Sequence, residues 1–220
     1  MEMTALSRTG RRLVRMYERM LDHFGPQDWW PADSPLEMMV GAVLTQNTNW
    51  GNVEKALANL KGRGWLSMDR LHLLPNDVLA DAIRPAGYFN IKAGRLKNLI
   101  RFMVDEYGGD VPRMLEEEPR RLRRGLLGVK GIGPETADSI VLYAAEQPVF
   151  VIDAYTHRIL NRHGLADEQG TYDELQALFT DALPEDVPLY QEFHALIVRT
   201  GKEYCRKRPL CDPCPLHGME

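Results

Sequence analysis

The residues best suited to binding or catalysis lie in one stretch of the chain, PRRLRRGLLGVKGIGPETADSIVLYAAEQPVFVID over 119–153. It contains a Gly-x-Gly turn at Gly131 and Gly133, followed by Pro134, and it ends on Asp153. Two glycines so close together permit a tight turn, and proline suits the first position of a helix. The pattern predicts two helices joined by a hairpin whose exposed N–H groups bind an anion, with phosphate the obvious candidate.

Two further residues of this stretch have two interpretations each. Lys130 adds a positive charge to the turn, and such a turn grips a DNA backbone without reading its sequence; a purely structural interhelical turn is the alternative. Asp153 follows an apolar run and precedes a helical pattern over 154–163. Its spacing predicts an N-cap. A carboxylate at the end of a buried run is also shielded from solvent, which suits catalysis. The two roles are compatible.

The elements around this stretch are predicted to be helical, because apolar residues recur at helical spacing along the chain. We therefore expect an all-α fold. Asn76 and Thr171 are predicted N-caps, and Glu174 stands at the capping-box distance from Thr171. The strand candidate, 148–152, is too short to need a partner sheet. The predicted helices cover 13–24, 36–43, 53–60, 75–84, 90–107, 119–127, 135–146, 154–163, 172–182 and 187–203.

Composition sets broad limits on this protein. Its 220 residues, 44% hydrophobic and 26% charged, are typical of a soluble globular protein of one domain or two lobes. No signal sequence and no run of about 20 apolar residues is evident, so we expect no membrane partner and a cytoplasmic location. The net charge of −4 is a weak argument against nucleic acid. Basic residues nevertheless cluster, on what could also be solvated helix faces, at Arg120, Arg121, Arg123, Arg124, Lys202, Arg206, Lys207 and Arg208.

The central stretch resembles a known signature. VKGIGPETA over 129–137, followed by Val151-Ile152-Asp153, is similar to the helix–hairpin–helix and aspartate signature of the endonuclease III superfamily. LTQNT over 44–48 resembles the family segment whose glutamine, here Gln46, probes the duplex. GYFNIKA over 87–93 resembles its Gly-x-Tyr/Phe-x-x-Lys-Ala segment. Together the matches cover about residues 30–214 in the family's order.

This resemblance implies an architecture of two helical lobes. The six-helix lobe is expected over 33–140, with the helix–hairpin–helix at about 119–146. The second lobe is expected to combine 1–32 with 141–220 and to carry a cysteine loop over 205–214. The damaged base of a flipped nucleotide is implied to enter a pocket between the lobes.

The resemblance also implies a function, that of a DNA glycosylase of base excision repair acting on double-stranded DNA, which we expect to be a monomer. Asp153 is the implied catalytic carboxylate, stabilising the positive charge that develops on the sugar as the base departs. The residues implied to contact DNA are Gln46, Lys130, Gly131, Gly133 and Thr136.

One departure from the family pattern bears on the mechanism. Bifunctional members carry a lysine in the second helix of the motif, and its amine forms a Schiff base with the sugar. This chain has Glu135 there, eighteen residues before Asp153. Because a carboxylate cannot form a Schiff base, we predict a monofunctional glycosylase, in which Glu135 either enters the pocket or is a first-turn acid favouring the helix dipole. The alternatives are a bifunctional enzyme acting on oxidised pyrimidines and a non-catalytic helix–hairpin–helix DNA-binding protein.

Tryptophans are the candidate walls of the base pocket. Trp29, Trp30 and Pro31 form one segment and Trp50 another; ordinary core packing is the alternative. This combination, with glutamate replacing the lysine, resembles the 3-methyladenine DNA glycosylase branch. An alkylated purine is cationic, so an aromatic face would favour it by about 1–2 kcal/mol when water is excluded.

Three cysteines near the end of the chain form a C-x5-C-x2-C pattern at Cys205, Cys211 and Cys214. It resembles the family's loop, whose four cysteines bind a [4Fe–4S] cluster. The first spacing is one residue shorter than usual, and Glu220 stands where the fourth cysteine is expected. A zinc site completed by His217 is the rival, and a loop without metal is the third possibility.

Overall fold

A computed structural model describes residues 6–219, and within that range it contains helices and no strand. The all-α prediction is confirmed. The α-helices are α1 (Arg8–Phe24), α2 (Pro35–Thr45), α3 (Trp50–Gly62), α4 (Met68–Leu73), α5 (Asn76–Ala82), α6 (Phe89–Tyr107), α7 (Val111–Leu115), α8 (Pro119–Gly128), α9 (Pro134–Ser139), α10 (Ala154–Arg162), α11 (Tyr172–Thr180) and α12 (Val187–Glu203). A 3₁₀ turn covers Arg84–Ala86, and a π-helical turn over Ile140–Ala144 continues α9.

The chain divides into two compact units, one of which is Trp30–Gln147. Its centre is α2, where every residue from Leu36 to Leu44 is buried. A helix that is apolar all round belongs in a core, and α3, α6 and the π-helical turn pack on it. α6 also packs on α4 and α5, so it runs along much of this unit.

Among the described residues, the other unit joins 6–29 with 148–219. Its core is aromatic: Phe150 stacks on Phe179 with ring centroids 3.7 Å apart, and Phe193 packs edge-on against both. α12 packs along α1 and α10. This packing anchors the segment that ends at Asp153.

The strand candidate 148–152 is neither helical nor paired in a sheet. Two side chains of α11 make hydrogen bonds with the backbone of this segment instead. Gln176 Nε2 donates to the Phe150 carbonyl (2.6 Å), and the Tyr172 hydroxyl accepts from the Ile152 amide (3.3 Å). Phe150, Val151 and Ile152 are buried. The segment therefore carries Asp153 to the start of α10 on a fixed backbone.

The remaining sequence predictions have mixed outcomes. Thr171 caps α11 with the predicted capping box to Glu174. The Asn76 prediction is wrong, because Pro75 is the N-cap and Asn76 is the first residue of α5. The helices α4 and α7 were not predicted, since six and five residues carry too little apolar periodicity. Among the described residues, no helix has both the length and the apolar character to cross a membrane.

Candidate nucleic-acid interface and catalytic cluster

The hairpin, residues 129–133, combines two buried side chains with three exposed residues. Val129 and Ile132 are buried and joined by a turn hydrogen bond of 3.0 Å, while Lys130, Gly131 and Gly133 are exposed. The two buried side chains hold the turn to its unit, and the backbone between them faces outward. The predicted interhelical hairpin is confirmed, and Pro134 opens α9 as expected.

Gly131 is the position at which this turn requires glycine. Its φ is +97°, and a Cβ there would lie 2.4 Å from Cγ of Arg95. Gly133 differs, since its backbone is extended and a Cβ would meet nothing within 4 Å. The two glycines of the motif are therefore unequal, with the first set by conformation and by the arginine packed on it.

The basic run of α8 is only partly available to a ligand. Arg123 makes a two-pronged contact with Asp138, whose side chain is fully buried, at 2.6 and 3.1 Å. Arg120, Arg121 and Arg124 are exposed. One of the four arginines thus holds α8 to α9, Arg121 pairs with Glu117 at 3.3 Å, and Arg120 and Arg124 supply exposed charge on α8.

Gln46, the predicted probe of the duplex, follows α2 and lies against the hairpin. Its Nε2 donates to the Gly131 carbonyl (3.2 Å) and to Oγ1 of Thr136 (2.9 Å). Its Oε1 accepts a hydrogen bond from Arg95. Thr136 is buried, so its hydroxyl holds Gln46 rather than facing outward.

Lys92 fixes the backbone just before Gln46. It is 1% exposed, and its Nζ donates to the carbonyls of Leu44 (2.8 Å) and Ala86 (2.7 Å). Burial, with a smaller effect of Arg95, lowers the pKa of Lys92 to about 8. The lysine of the Gly-x-Tyr/Phe-x-x-Lys-Ala segment therefore holds the end of α2.

Tyr88 is a residue that the sequence analysis did not single out as a site. It is 67% exposed and has a left-handed backbone with φ +45°, immediately before α6. Such a backbone is uncommon for a bulky residue and justifies a functional hypothesis. Exposed Ile91 lies one turn further along. The neighbouring Gly87, also at positive φ, was the available sequence signal.

Asp153 caps α10 in the other unit. Its Oδ1 accepts from the amide of Thr156 (2.7 Å) and from its hydroxyl (2.8 Å), which confirms the predicted N-cap. Its Oδ2 lies 3.9 Å from Nε2 of buried His194 on α12. The carboxylate is 12% exposed, so it is shielded but accessible.

The ionisable groups around Asp153 have shifted proton affinities. Burial lowers the pKa of His194 and nearby Lys202 lowers it further, while Asp153 opposes the shift. Burial also lowers the pKa of Lys202, again opposed by Asp153. The Lys202 ammonium lies 5.8 Å from the ring centroid of Trp29. We call Trp29, Asp153, Thr156, His194 and Lys202 the Asp153 cluster; neither His194 nor its relation to Asp153 was predicted.

The predicted pocket tryptophans belong to different units. Trp30 packs edge-on against Trp50 and is tilted against Tyr143 of the π-helical turn, with centroids 5.4 Å apart in both pairs. Trp29 belongs to the Asp153 cluster, and Pro31 is exposed. Glu135 lies exposed in the first turn of α9, where its charge favours the helix dipole.

The three cysteines line one cavity of about 110 Å³, together with His217 and Arg162. Cys205 is buried and its sulfur accepts from Nη1 of Arg162 at 3.2 Å. Burial raises the pKa of Cys214. Within residues 6–219, no three His, Cys, Asp or Glu side chains converge closely enough to hold a single metal ion.

The fold and the hairpin together define a helix–hairpin–helix protein with the endonuclease III fold. The chain superposes on an endonuclease III trapped covalently on DNA with a TM-score of 0.80, covering 94% of this chain and 93% of the other at 21% identity. Residues 40–185 match the model of the HhH-GPD superfamily of base excision DNA repair proteins. The chain belongs to this superfamily and is a DNA glycosylase of base excision repair, with DNA as its partner.

Two further relatives are informative. A provisionally named DNA repair glycosylase of Methanocaldococcus jannaschii is 45% identical over 205 residues, 93% of each chain. The 3-methyladenine DNA glycosylase of H. pylori, solved with 1,N6-ethenoadenine, has a TM-score of 0.72 at 29% identity, covering 89% of this chain and 97% of its own.

Proposed function

We propose that this glycosylase is monofunctional and removes alkylated bases of the 3-methyladenine type from double-stranded DNA, leaving an abasic site. The observation that carries the proposal is Glu135, an acid in the first turn of α9 at the place where bifunctional members have their lysine. Likeness to the 3-methyladenine glycosylase of H. pylori supports the choice of substrate class.

Asp153 would supply the chemistry. Its Oδ1 is committed to the α10 cap, so the orientation of the carboxylate is fixed before substrate binds. Its other oxygen would stabilise the positive charge on the sugar while water adds to C1′ and the base departs with the bonding electron pair. The water's proton is lost to solvent, and the products are the released base and an abasic sugar.

The aromatic residues would supply recognition. Trp30, Trp50 and Tyr143 form one aromatic group. Trp29 is a second aromatic surface, and the ammonium of Lys202 lies over its ring. A cationic base stacked on such a face gains about 1–2 kcal/mol once water is excluded. Gln46 would enter the duplex where the flipped base has left, and the hairpin would hold the phosphates.

A second candidate function is that of a bifunctional glycosylase and lyase, and Lys202 is the observation that favours it. Its amine belongs to the Asp153 cluster and burial lowers its pKa, which increases the share of the nucleophilic neutral form. In that case the strand would be cut after base release.

Two measurements on the same protein test the proposal. We expect release of free base from alkylated DNA, and none above background from oxidised DNA. We also expect no covalent adduct when borohydride is added to the reaction. An adduct that disappears in Lys202→Met would establish the bifunctional alternative, and excision restricted to oxidised bases would refute the substrate class.

We further propose that the C-terminal loop binds a [4Fe–4S] cluster. The three thiols line one cavity, which suits an inorganic core held by cysteines. Cys205, Cys211 and Cys214 would hold it, and two histidines of the cavity lining, His163 and His217, have imidazoles that would serve as a fourth ligand. The cluster would have a structural role, fixing the loop.

Analysis of the purified protein tests the cofactor. We expect iron and sulfide in equal amounts and a broad visible absorbance that bleaches on reduction. Cys214→Ser should lose both. A colourless protein containing zinc, or no metal at all, would refute the cluster without affecting the proposed excision.

A further inference from the structure

Gln46 occupies a docked position in which both ends of its amide are engaged. Its Nε2 donates to Gly131 and Thr136, and its Oε1 accepts from Arg95. A side chain that is to enter a duplex must give up these bonds first. The docked state therefore competes with insertion, and whatever stabilises it influences when insertion occurs.

Arg95 joins the two parts of this arrangement. Its guanidinium donates to Gln46, and its aliphatic stem lies across Gly131, leaving no space there for a Cβ. Of the three docking bonds, that of Arg95 is the one made by a charged donor, and such bonds are the stronger class. Arg95 is thus the main contact holding the Gln46 side chain to the hairpin.

The neighbours of Arg95 on α6 act on the backbone instead. Lys92, one turn before it, holds the Leu44 carbonyl at the end of α2. Asn98, one turn after it, donates from Nδ2 to the Lys130 carbonyl at 2.9 Å. One face of α6 thus fixes both the loop and the hairpin, and its middle residue, Arg95, holds the Gln46 side chain.

We propose that Arg95 determines specificity by keeping Gln46 docked until a weakened base pair admits it. This inference rests on the proposed role of Gln46 in entering the duplex. An intact pair resists flipping and a damaged or mismatched one yields more easily. A docked Gln46 therefore suppresses insertion at normal pairs, at the cost of slower insertion everywhere.

The first experiment observes docking without DNA. The side-chain amide signals of Gln46 are identified in NMR spectra by their loss in Gln46→Leu. In the wild type they should be dispersed and slow to exchange with water. In Arg95→Met, which retains the stem over Gly131, they should move to the positions of a solvated amide and exchange about tenfold faster. Signals unchanged in Arg95→Met would overturn the inference.

The second experiment measures insertion in an Asp153→Asn background, so that no base is excised. An undamaged duplex containing 2-aminopurine is saturated with protein, so that all of the duplex is bound. The fluorescence of 2-aminopurine rises when its neighbours unstack. Arg95→Met should raise the unstacked population about tenfold, and Arg95→Lys should raise it less because it keeps a charged donor. Arg101→Met is the matched control: it removes an exposed arginine of the same helix that makes no contact with Gln46, and it should leave the population unchanged.

The outcomes separate this inference from the proposed function. Fluorescence that is unchanged or lower in Arg95→Met would overturn the role of Arg95, even if the wild type excises alkylated bases normally. A wild type that excises no alkylated base, with the Arg95 effects intact, would leave the docking mechanism standing and refute the proposed substrate.

Discussion

The hairpin region and the Asp153 cluster are stabilised by different kinds of interaction. Around the hairpin, side-chain donors meet backbone carbonyls, as Asn98 does with Lys130 and Gln46 with Gly131. In the Asp153 cluster, ionisable side chains face one another, and burial shifts their proton affinities. The first arrangement fixes a backbone shape, which the proposed function uses to hold DNA. The second sets the charges of side chains, which the proposed function uses for the reaction. Mutations should therefore change shape in one region and charge in the other.

Asp153→Asn should have the largest effect and should act on charge alone. Asparagine caps a helix as well as aspartate does, so stability should change by less than about 1 kcal/mol. Under the proposed function, excision should fall by about 10²–10³-fold, because the charge that would stabilise the sugar is lost. Single-turnover base release and thermal unfolding measure the two effects.

Asp186→Asn is the matched control for that variant. Asp186 caps α12 in the same unit, accepting from the Leu189 amide at 2.8 Å, and is exposed. It should change neither excision nor stability appreciably. Full activity in Asp153→Asn would show that Asp153 is only a cap.

Gly131→Ala should disrupt the hairpin region by changing its backbone shape. A left-handed backbone costs a residue with a Cβ about 1–2 kcal/mol, and Arg95 would have to move as well. We expect at least about tenfold weaker DNA binding, following from a displaced hairpin backbone. Fluorescence anisotropy with duplex DNA and chemical unfolding measure these changes.

Gly133→Ala serves as its control, because the backbone is extended there and space is open. The free energy of unfolding of Gly133→Ala should differ from that of the wild type by no more than about 0.5 kcal/mol. Equal losses in the two variants would contradict the distinction between the glycines.

The contrast also explains what the sequence could predict. Gly131, Pro134 and the Asp153 cap are local features, since each depends on residues within a few positions along the chain. Arg95 and His194 reach their partners across 49 and 41 residues, and no spacing rule connects them. Helices in which apolar residues recur over several turns were predictable, whereas the short helices α4 and α7 were not. Proline replaced Asn76 as the cap because preference for a residue type does not determine where a helix begins.

Lys92→Met tests how firmly the Gln46 loop is held. It leaves the buried carbonyls of Leu44 and Ala86 without their donor, which should cost about 1–3 kcal/mol. Lys97→Met is the control: Lys97 also donates to two carbonyls, of Leu71 and His72, but it is more exposed, so water can replace it.

The pH dependence of the Lys92 effect has a definite sign. Because its pKa in the fold is about 8, below the value of about 10.4 in the unfolded chain, the unfolded state binds more protons between these values. Wild-type stability relative to Lys92→Met should therefore rise as pH increases from about 8 to 10. A stability difference that falls over this range would contradict a lowered pKa of Lys92 in the folded protein.

His194→Asn should have the smallest effect and act through pH. The pKa of His194 is lowered in the fold, so below the unfolded value of about 6.5 the unfolded chain binds a proton that the folded chain does not. Stability present above pH 6.5 is lost as pH falls, by up to about 1.4 kcal/mol per unit. His194→Asn should flatten this slope between pH 6.5 and 5, and the exposed control His72→Asn should not. In Asp153→Asn, which lacks the charge that favours protonated His194, the loss of stability should extend to lower pH than in the wild type. A slope in His194→Asn equal to that of the wild type would contradict this titration.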